Sequence, residues 1–356
     1  MDIKPRFTAT AIGSLPHPDP AKALDVIFAA IPEAPIWPQL SKFGLREQME
    51  IQYSEGLPRV VIDDAKSRMY FNTAGDYSEE LAKFYEGYMA VEESGDASAG
   101  AISAKFSAGI PALEKRLAAS GKKLPFVKCQ TTGPMSFALT IVDENKRAIY
   151  YNEEFCDVIV KGLALKCRWQ IQKFRPFANN IICFVDEPIL SAFGSSTYVS
   201  VQRGDVIAKL GEVIAAVHAE DALAGVHCCG NTEWSILVDA GVDILNFDAF
   251  QFGETIALYP EHMKKQLVER KNALAWGLIP TSAAIREETV AKRVEQFERL
   301  SDNLSKKAGI PKDVIAEQAF ITPSCGTGSM QIQDAERVFK MLGETSQALR
   351  EKYGFK

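Results

Sequence analysis

Short apolar runs alternate with longer amphipathic stretches along most of the chain. Seven runs read as strands: 7–14 (FTATAIGS), 125–132 (PFVKCQTT), 180–187 (NIICFVDE), 223–229 (LAGVHCC), 242–249 (VDILNFDA), 273–279 (ALAWGLI) and 318–325 (QAFITPSC). They are rich in β-branched, aromatic and other apolar residues and are bounded by Gly, Pro, Asn or Asp. A further run, 34–40 (APIWPQL), would be an eighth strand, although its two prolines cannot donate to a ladder. The stretches 153–175, 204–219, 286–308 and 332–352 repeat apolar residues at three and four, which predicts helices. In the last of these, Ala335, Val338, Phe339, Leu342 and Leu349 fall near one face. Regular strand–helix alternation predicts an α/β fold, a parallel sheet with crossover helices. Eight units close a (β/α)8 barrel; fewer leave an open doubly wound sheet. Residues 41–123 are mostly helical and longer than one crossover needs. They read as an insertion in one domain spanning 1–356, with a short strand at 59–63 (RVVID).

The unusual polar residues fall at the C-terminal ends of the strands. The first ends in Ile12, Gly13 and Ser14; the second in Thr131, Thr132, Gly133 and Pro134; the third in Asp186, Glu187 and Pro188. The fourth ends in His227, Cys228 and Cys229, the fifth in Asn246 and Asp248, and the last in Ser324, Cys325 and Gly326. In a parallel α/β barrel these ends converge on the face where active sites are built. Strand side chains alternate, so His227 and Cys229 aim together and Cys228 aims away. Cys325 would supply a third ligand, and Asp248 a weak fourth. Zinc favours tetrahedral N/S ligation, and catalytic zinc keeps one position open. Plain packing is the competing reading, because free cysteine is among the most buried residue types. It is the reading for Cys156, Cys167 and Cys183. A redox role for the vicinal pair Cys228–Cys229 is disfavoured, since redox motifs space their cysteines.

The other polar groups are less specific. Asp186 and Glu187 either cap a helix or present acid to a cleft, for a cationic group or proton transfer. TTGP could be turn chemistry, and GTGS after Cys325 gives backbone room but lacks a phosphate-loop lysine. His218 and His262 read as surface or capping residues, and His17 as part of an exposed loop with no role.

Bulk composition narrows the class. Of 356 residues, 47% are hydrophobic and 24% charged, as in ordinary globular proteins. A net charge of −6 gives no basic footprint for nucleic acid. No signal peptide or membrane span is expected. Seven cysteines without framework spacing fit a reducing cytoplasm, where they stay free thiols.

The set AIGSLP, TTGP, VDEP, HCCGN and TPSCG, in this order and across nearly the whole chain, resembles the C-terminal catalytic barrel of cobalamin-independent methionine synthase. That family sits in a superfamily with uroporphyrinogen decarboxylase and the corrinoid:coenzyme M methyltransferases. The resemblance implies a (β/α)8 barrel with catalytic zinc on His227, Cys229 and Cys325. The family's acidic ligand falls on Asp248, where the family has the longer Glu. Homocysteine contacts fall on Ile12, Gly13 and Ser14, and its amino group on Asp186. A further family glutamate near the thiol has no clean match; Asp63 and Asp64 are the candidates. With one barrel rather than two, the chain resembles a stand-alone core enzyme. Such proteins imply methylcobalamin or a methylated corrinoid protein as donor, rather than folate. The implied activity is zinc-dependent methylation of homocysteine to methionine. The alternatives are another zinc thiol methyltransferase of the superfamily, of coenzyme M or corrinoid-demethylation type, and a non-catalytic metal- or corrinoid-binding protein. Uroporphyrinogen decarboxylase itself is disfavoured, because it uses no zinc and its arginine-bearing N-terminal motif is not apparent.

Overall fold

The computed structural model describes residues 3–355. Two short strands, β1 (Val60–Asp63) and β2 (Arg68–Phe71), form an antiparallel hairpin. Six further strands build one parallel sheet: β3 (Leu124–Thr132), β4 (Ala178–Asp186), β5 (Leu223–Cys228), β6 (Ile244–Phe247), β7 (Ala273–Ile279) and β8 (Ala319–Pro323). They lie side by side in chain order, so all their C-terminal ends share one edge.

Two cores follow from the period of two along these strands. Val127, Ile181, Val226, Leu245, Trp276 and Ile321 point outward and pack in the large core with the helices. Ile182, Phe184, Leu223, Ile244, Ala273, Ala275 and Phe320 point the other way and form a separate inner core. A sheet buried on both faces reads as near-continuous apolar sequence, as these runs do. The outer layer includes the helices Glu153–Phe174, Arg203–Ala219, Val290–Ala308 and Ile332–Tyr353. Their ends follow local chemistry. Asn152 accepts from the Phe155 N–H with Glu153 and Glu154 in the first turn, which suits a helix start. The third helix begins later than the apolar period from 286 suggests, because 283–287 is a 3-10 turn and Thr289 caps the α-helix at Val290.

The runs 7–14 and 34–40 are extended but are not strands of the sheet. Ala9 makes a single parallel bridge to Ile321 on β8, and Ile36 one to Lys128 on β3. The two segments meet at a third bridge, Ser14 to Gln39. The sheet therefore curls, and its two edge strands are linked through these segments. Pro35 and Pro38 remove ladder donors from one segment. In the other, Arg6 and Phe7 have positive φ, which interrupts an extended run. The stretch 41–123 is mostly helical, with Ser78–Ser94 and Gly109–Ser120 its longest helices. The strand expected at 59–63 is there as β1, with β2 as its partner.

Candidate metal centre

Across the sheet edge, Thr132, Asp186, His227, Asn246, Ala275 and Phe320 stand in register on six neighbouring strands. Residues in register point to the same side, so this row faces inward at the edge of the inner core, to which Ala275 and Phe320 belong. Thr132 Oγ1, Asp186 Oδ1 and His227 Nε2 on this row are buried and have no hydrogen-bond partner among the described residues. Buried polar groups are nearly always paired, so three neighbouring exceptions mark a place for a ligand.

Just above the row, His227, Cys229 and Cys325 form a group whose donor atoms lie within 4.8 Å of one another. A tetrahedral site with zinc–sulfur bonds of ~2.3 Å and zinc–nitrogen bonds of ~2.0 Å has edges of ~3.5–3.8 Å, so small side-chain shifts bring the three donors into range. Asn246 sets the histidine tautomer. Its Nδ2 donates to Ala275 O and Thr322 Oγ1, both at 2.8 Å. A carbonyl can only accept, so the amide nitrogen is fixed and Oδ1 faces His227 Nδ1. Nδ1 therefore carries the proton, and the lone pair of Nε2 points at the two sulfurs. Oriented histidine, two thiols and an unpartnered Nε2 fit zinc. A hydrogen bond from the neighbouring Cys325 thiol lowers the Cys229 thiol to about 4. The hydrogen bond to Cys229, with burial, pushes Cys325 up. Cys228 points into the outer core, where its thiol faces Gly230 O.

Asp248 lies outside this group. Its two oxygens accept from Gln251 N at 2.9 Å and Gln251 Nε2 at 3.1 Å, capping the short helix Ala249–Phe252. Burial raises its pKa to about 6.

The two acids of the third strand end separate. Asp186 faces inward, and burial raises its pKa, opposed by Lys128 and His227. Glu187 faces the other way. Its carboxylate accepts from Met135 N, Ser136 N and Ser136 Oγ and caps the helix Pro134–Thr140 at the end of TTGP. A side chain at Gly133 would collide with it, its Cβ falling 2.1 Å from the Glu187 carboxyl carbon.

A cavity of about 290 Å³ opens beside the three donors. Ile12, Ser14, Asp186, His227, Cys229, Cys325 and Gly326 are among the residues that line it. Gly13 turns away, against Gln130. Gln39, Ser41, Gln48 and Met49 also line the cavity; the last three belong to no expected strand, and the alternation pattern gives no signal for them. Ser329 adds a third hydroxyl, beside Ser14 and Ser41. The glycines of GTGS bring backbone against Ser14: a Cβ at Gly326 would fall 2.1 Å from Ser14 Oγ. A larger groove of about 730 Å³ between the helices Pro20–Ala30 and Ile332–Tyr353 gathers none of these groups.

Asp63 and Asp64 are not at the cavity. Asp63 caps the turn at Lys66, and Asp64 pairs with Arg46 at the surface. His17 is buried rather than exposed, 3% accessible, with Nε2 toward Glu336. His218 pairs with Asp243 at 2.7 Å, and His262 lies 3.7 Å from Asp239. Cys156, Cys167 and Cys183 are buried. No helix of the described residues is long and apolar enough to cross a membrane.

No family model and no curated protein matches the chain. Among solved structures, a methyltransferase from Methanosarcina mazei aligns over 99% of this chain and 95% of its own, at 14% identity and a TM-score of 0.54. A B12-independent methionine synthase from Shewanella sp. W3-18-1, in complex with selenomethionine, aligns over 68% of this chain and 67% of its own, at 17% identity and a TM-score of 0.45. The alignment with the Methanosarcina mazei protein shows a shared α/β fold.

Proposed function

We propose that the chain is a zinc-dependent methyltransferase that methylates the thiol of homocysteine to give methionine. The observation that carries this reading is the meeting, in one small cavity, of the His227–Cys229–Cys325 group with the buried, unpartnered Asp186. Bound there, zinc would lower the pKa of an acceptor thiol, ordinarily about 8.5, and so favour the nucleophilic thiolate. Asp186 receives the substrate ammonium. Burial alone drives this acid toward its neutral form; a cationic partner returns it to carboxylate. The hydroxyls of Ser14, Ser41 and Ser329 are donors for the substrate carboxylate.

Size and charge support an amino-acid thiol. The cavity is near the lower end of ligand sites, which run from ~300 to 1,000 Å³. Among the described residues, no lysine or arginine lines it. A thiol with a sulfonate in place of the amine, as in the coenzyme M alternative, would set an anion beside Asp186 without a cation to meet it.

In this reading the extended segments at 7–14 and 34–40 stand as the first two strands of a single (β/α)8 barrel, and 41–123 is an insertion in that domain. The proposed donor is methylcobalamin or a methylated corrinoid protein, presenting its methyl group from the mouth, since a corrinoid ring is too large for the cavity. A tertiary-amine donor such as methyltetrahydrofolate needs a general acid at its leaving nitrogen. Among the described residues, the one carboxylate lining the cavity is Asp186, here assigned to the amine. The test is to supply the zinc-loaded protein with homocysteine and each donor separately, and to quantify methionine. Zinc-dependent methionine from methylcobalamin, lost in Cys229→Ser, is the expected result. Zinc binding without thiol methylation from any donor supports the non-catalytic alternative, and turnover with methyltetrahydrofolate alone reassigns the donor.

A further inference from the structure

Lys128 lies on β3 inside the sheet, fully buried, two register levels below the row that carries Asp186. Enclosing an ammonium costs several kcal/mol unless it is well compensated. Among the described residues, no carboxylate lies within ion-pair distance of Lys128. Its Nζ instead donates to the backbone carbonyl of Ile12 and to Gln130 Oε1 at 3.2 Å. It also sits 4.6 Å from the centroid of the Phe184 ring. Gly225 on the next strand makes room for that ring, since a Cβ there would fall 2.2 Å from it. Gln130 braces the same turn: its amide packs under Gly13 and donates to Trp37 O. Burial pushes the Lys128 pKa down to about 8, so the fold holds this charge against a cost. An apolar side chain of similar length would fill the space without that cost. The Ile12 carbonyl would then lose its partner.

Ile12 and Ser14 line the cavity beside the metal group, yet the segment that bears them is joined to its sheet neighbour by one bridge rather than a ladder. We propose that Lys128 is a positioning residue for the cavity: from inside the barrel its ammonium clamps the Ile12 carbonyl and holds the Ile12–Ser14 turn where it meets a ligand bound next to Asp186. This deepens the homocysteine reading and rests on it for the nature of the ligand.

The test compares zinc-loaded wild type with Lys128→Met, which keeps length and removes the donor, and Lys128→Gln, which keeps a donor on a shorter stem. In Lys128→Met the homocysteine KM is expected to rise roughly ten- to hundredfold, as for a lost charge-assisted hydrogen bond, with kcat at saturation within about threefold. Zinc content is expected to stay unchanged, and Lys128→Gln to fall between, which also covers a failure of the Met variant to fold. A second arm uses no substrate: amide hydrogen exchange across 11–15 is expected to quicken about tenfold or more in Lys128→Met while the amides of β4 and β5 hold. Unchanged protection at 11–15 overturns the clamp. So does a fall in kcat that matches the fall in kcat/KM. A wild type that forms no methionine overturns the functional reading instead, and the exchange arm still decides the clamp.

Discussion

The cavity has two unlike walls. The sheet wall, carrying Asp186 and His227 with Cys229 one residue past the end of β5, is held by continuous parallel ladders and packed between two apolar cores. The other wall joins the Ile12–Ser14 turn to residues 39–49, held by isolated bridges and by single bonds such as Lys128 to Ile12 O and Gln39 to Gln52. A ladder fixes each side chain through its neighbours, so donors that must keep fixed separations sit on the strand ends or within two residues of them, as His227, Cys229 and Cys325 do. A bridge fixes one point. The segmental wall therefore suits contacts that shape and select, with its precision supplied by buried polar side chains from the sheet.

Breaking the sheet wall is expected to have the largest effect. Cys229→Ser and Cys325→Ser are each expected to cost more than a hundredfold in zinc affinity, above the ~10–100-fold typical of a lost outer partner. Cys228→Ser should keep about one zinc per chain, because its thiol faces the outer core. Metal analysis of the purified variants checks both, and equal loss in Cys228→Ser would sink the division into inward and outward thiols.

Asn246→Leu comes next. It removes the acceptor that holds the His227 Nδ1 proton and leaves Ala275 O unpaired. Zinc affinity is expected to fall roughly 10–100-fold, measured by competition with a chelator. An unchanged affinity means that the tautomer is not set by Asn246.

Asp186→Asn is expected to raise the homocysteine KM roughly ten- to hundredfold, the cost of a charge-assisted contact, with zinc retained. Steady-state kinetics with parallel metal analysis separates substrate binding from metal binding on the sheet wall. Zinc loss in this variant would move Asp186 from the substrate to the metal.

The segmental wall is expected to respond more mildly. Gly326→Ala forces Ser14 to move, for an expected destabilisation of about 1–3 kcal/mol by denaturant titration. Met49→Ala removes a side chain that faces the cavity from one side, and is expected to change KM by roughly threefold with stability and zinc intact. A Met49 effect as large as that of Asp186 would mean the two walls are not unlike in function.

Much of the sheet wall was legible along the chain. The apolar runs at 125–132, 180–187, 223–229 and 273–279 stand within two residues of β3, β4, β5 and β7, because a buried parallel strand must be apolar on both faces. Alternation separated Cys228 from its neighbours for the same reason. The runs at 7–14 and 34–40 have strand-like composition, yet their prolines and positive φ angles leave bridges where ladders were expected.

Sequence by itself determined which positions alternate, and so which strand-end residues share a face: His227 with Cys229, and Asp186 apart from Glu187. It did not determine what a given acid does once it gets there. Asp248 became a helix cap because Gln251 N–H lies within its reach, and Glu187 became one because the start of the Pro134 helix packs beside it. Only tertiary structure brought Cys325 to Cys229 across the sheet edge, set Gln48 and Met49 in the same cavity, and set a lysine under the Ile12 turn. The physical reason is range. Periodicity reports the direction of a side chain relative to its own strand, whereas ligation, capping and clamping depend on distances between groups that the chain separates by tens to hundreds of residues.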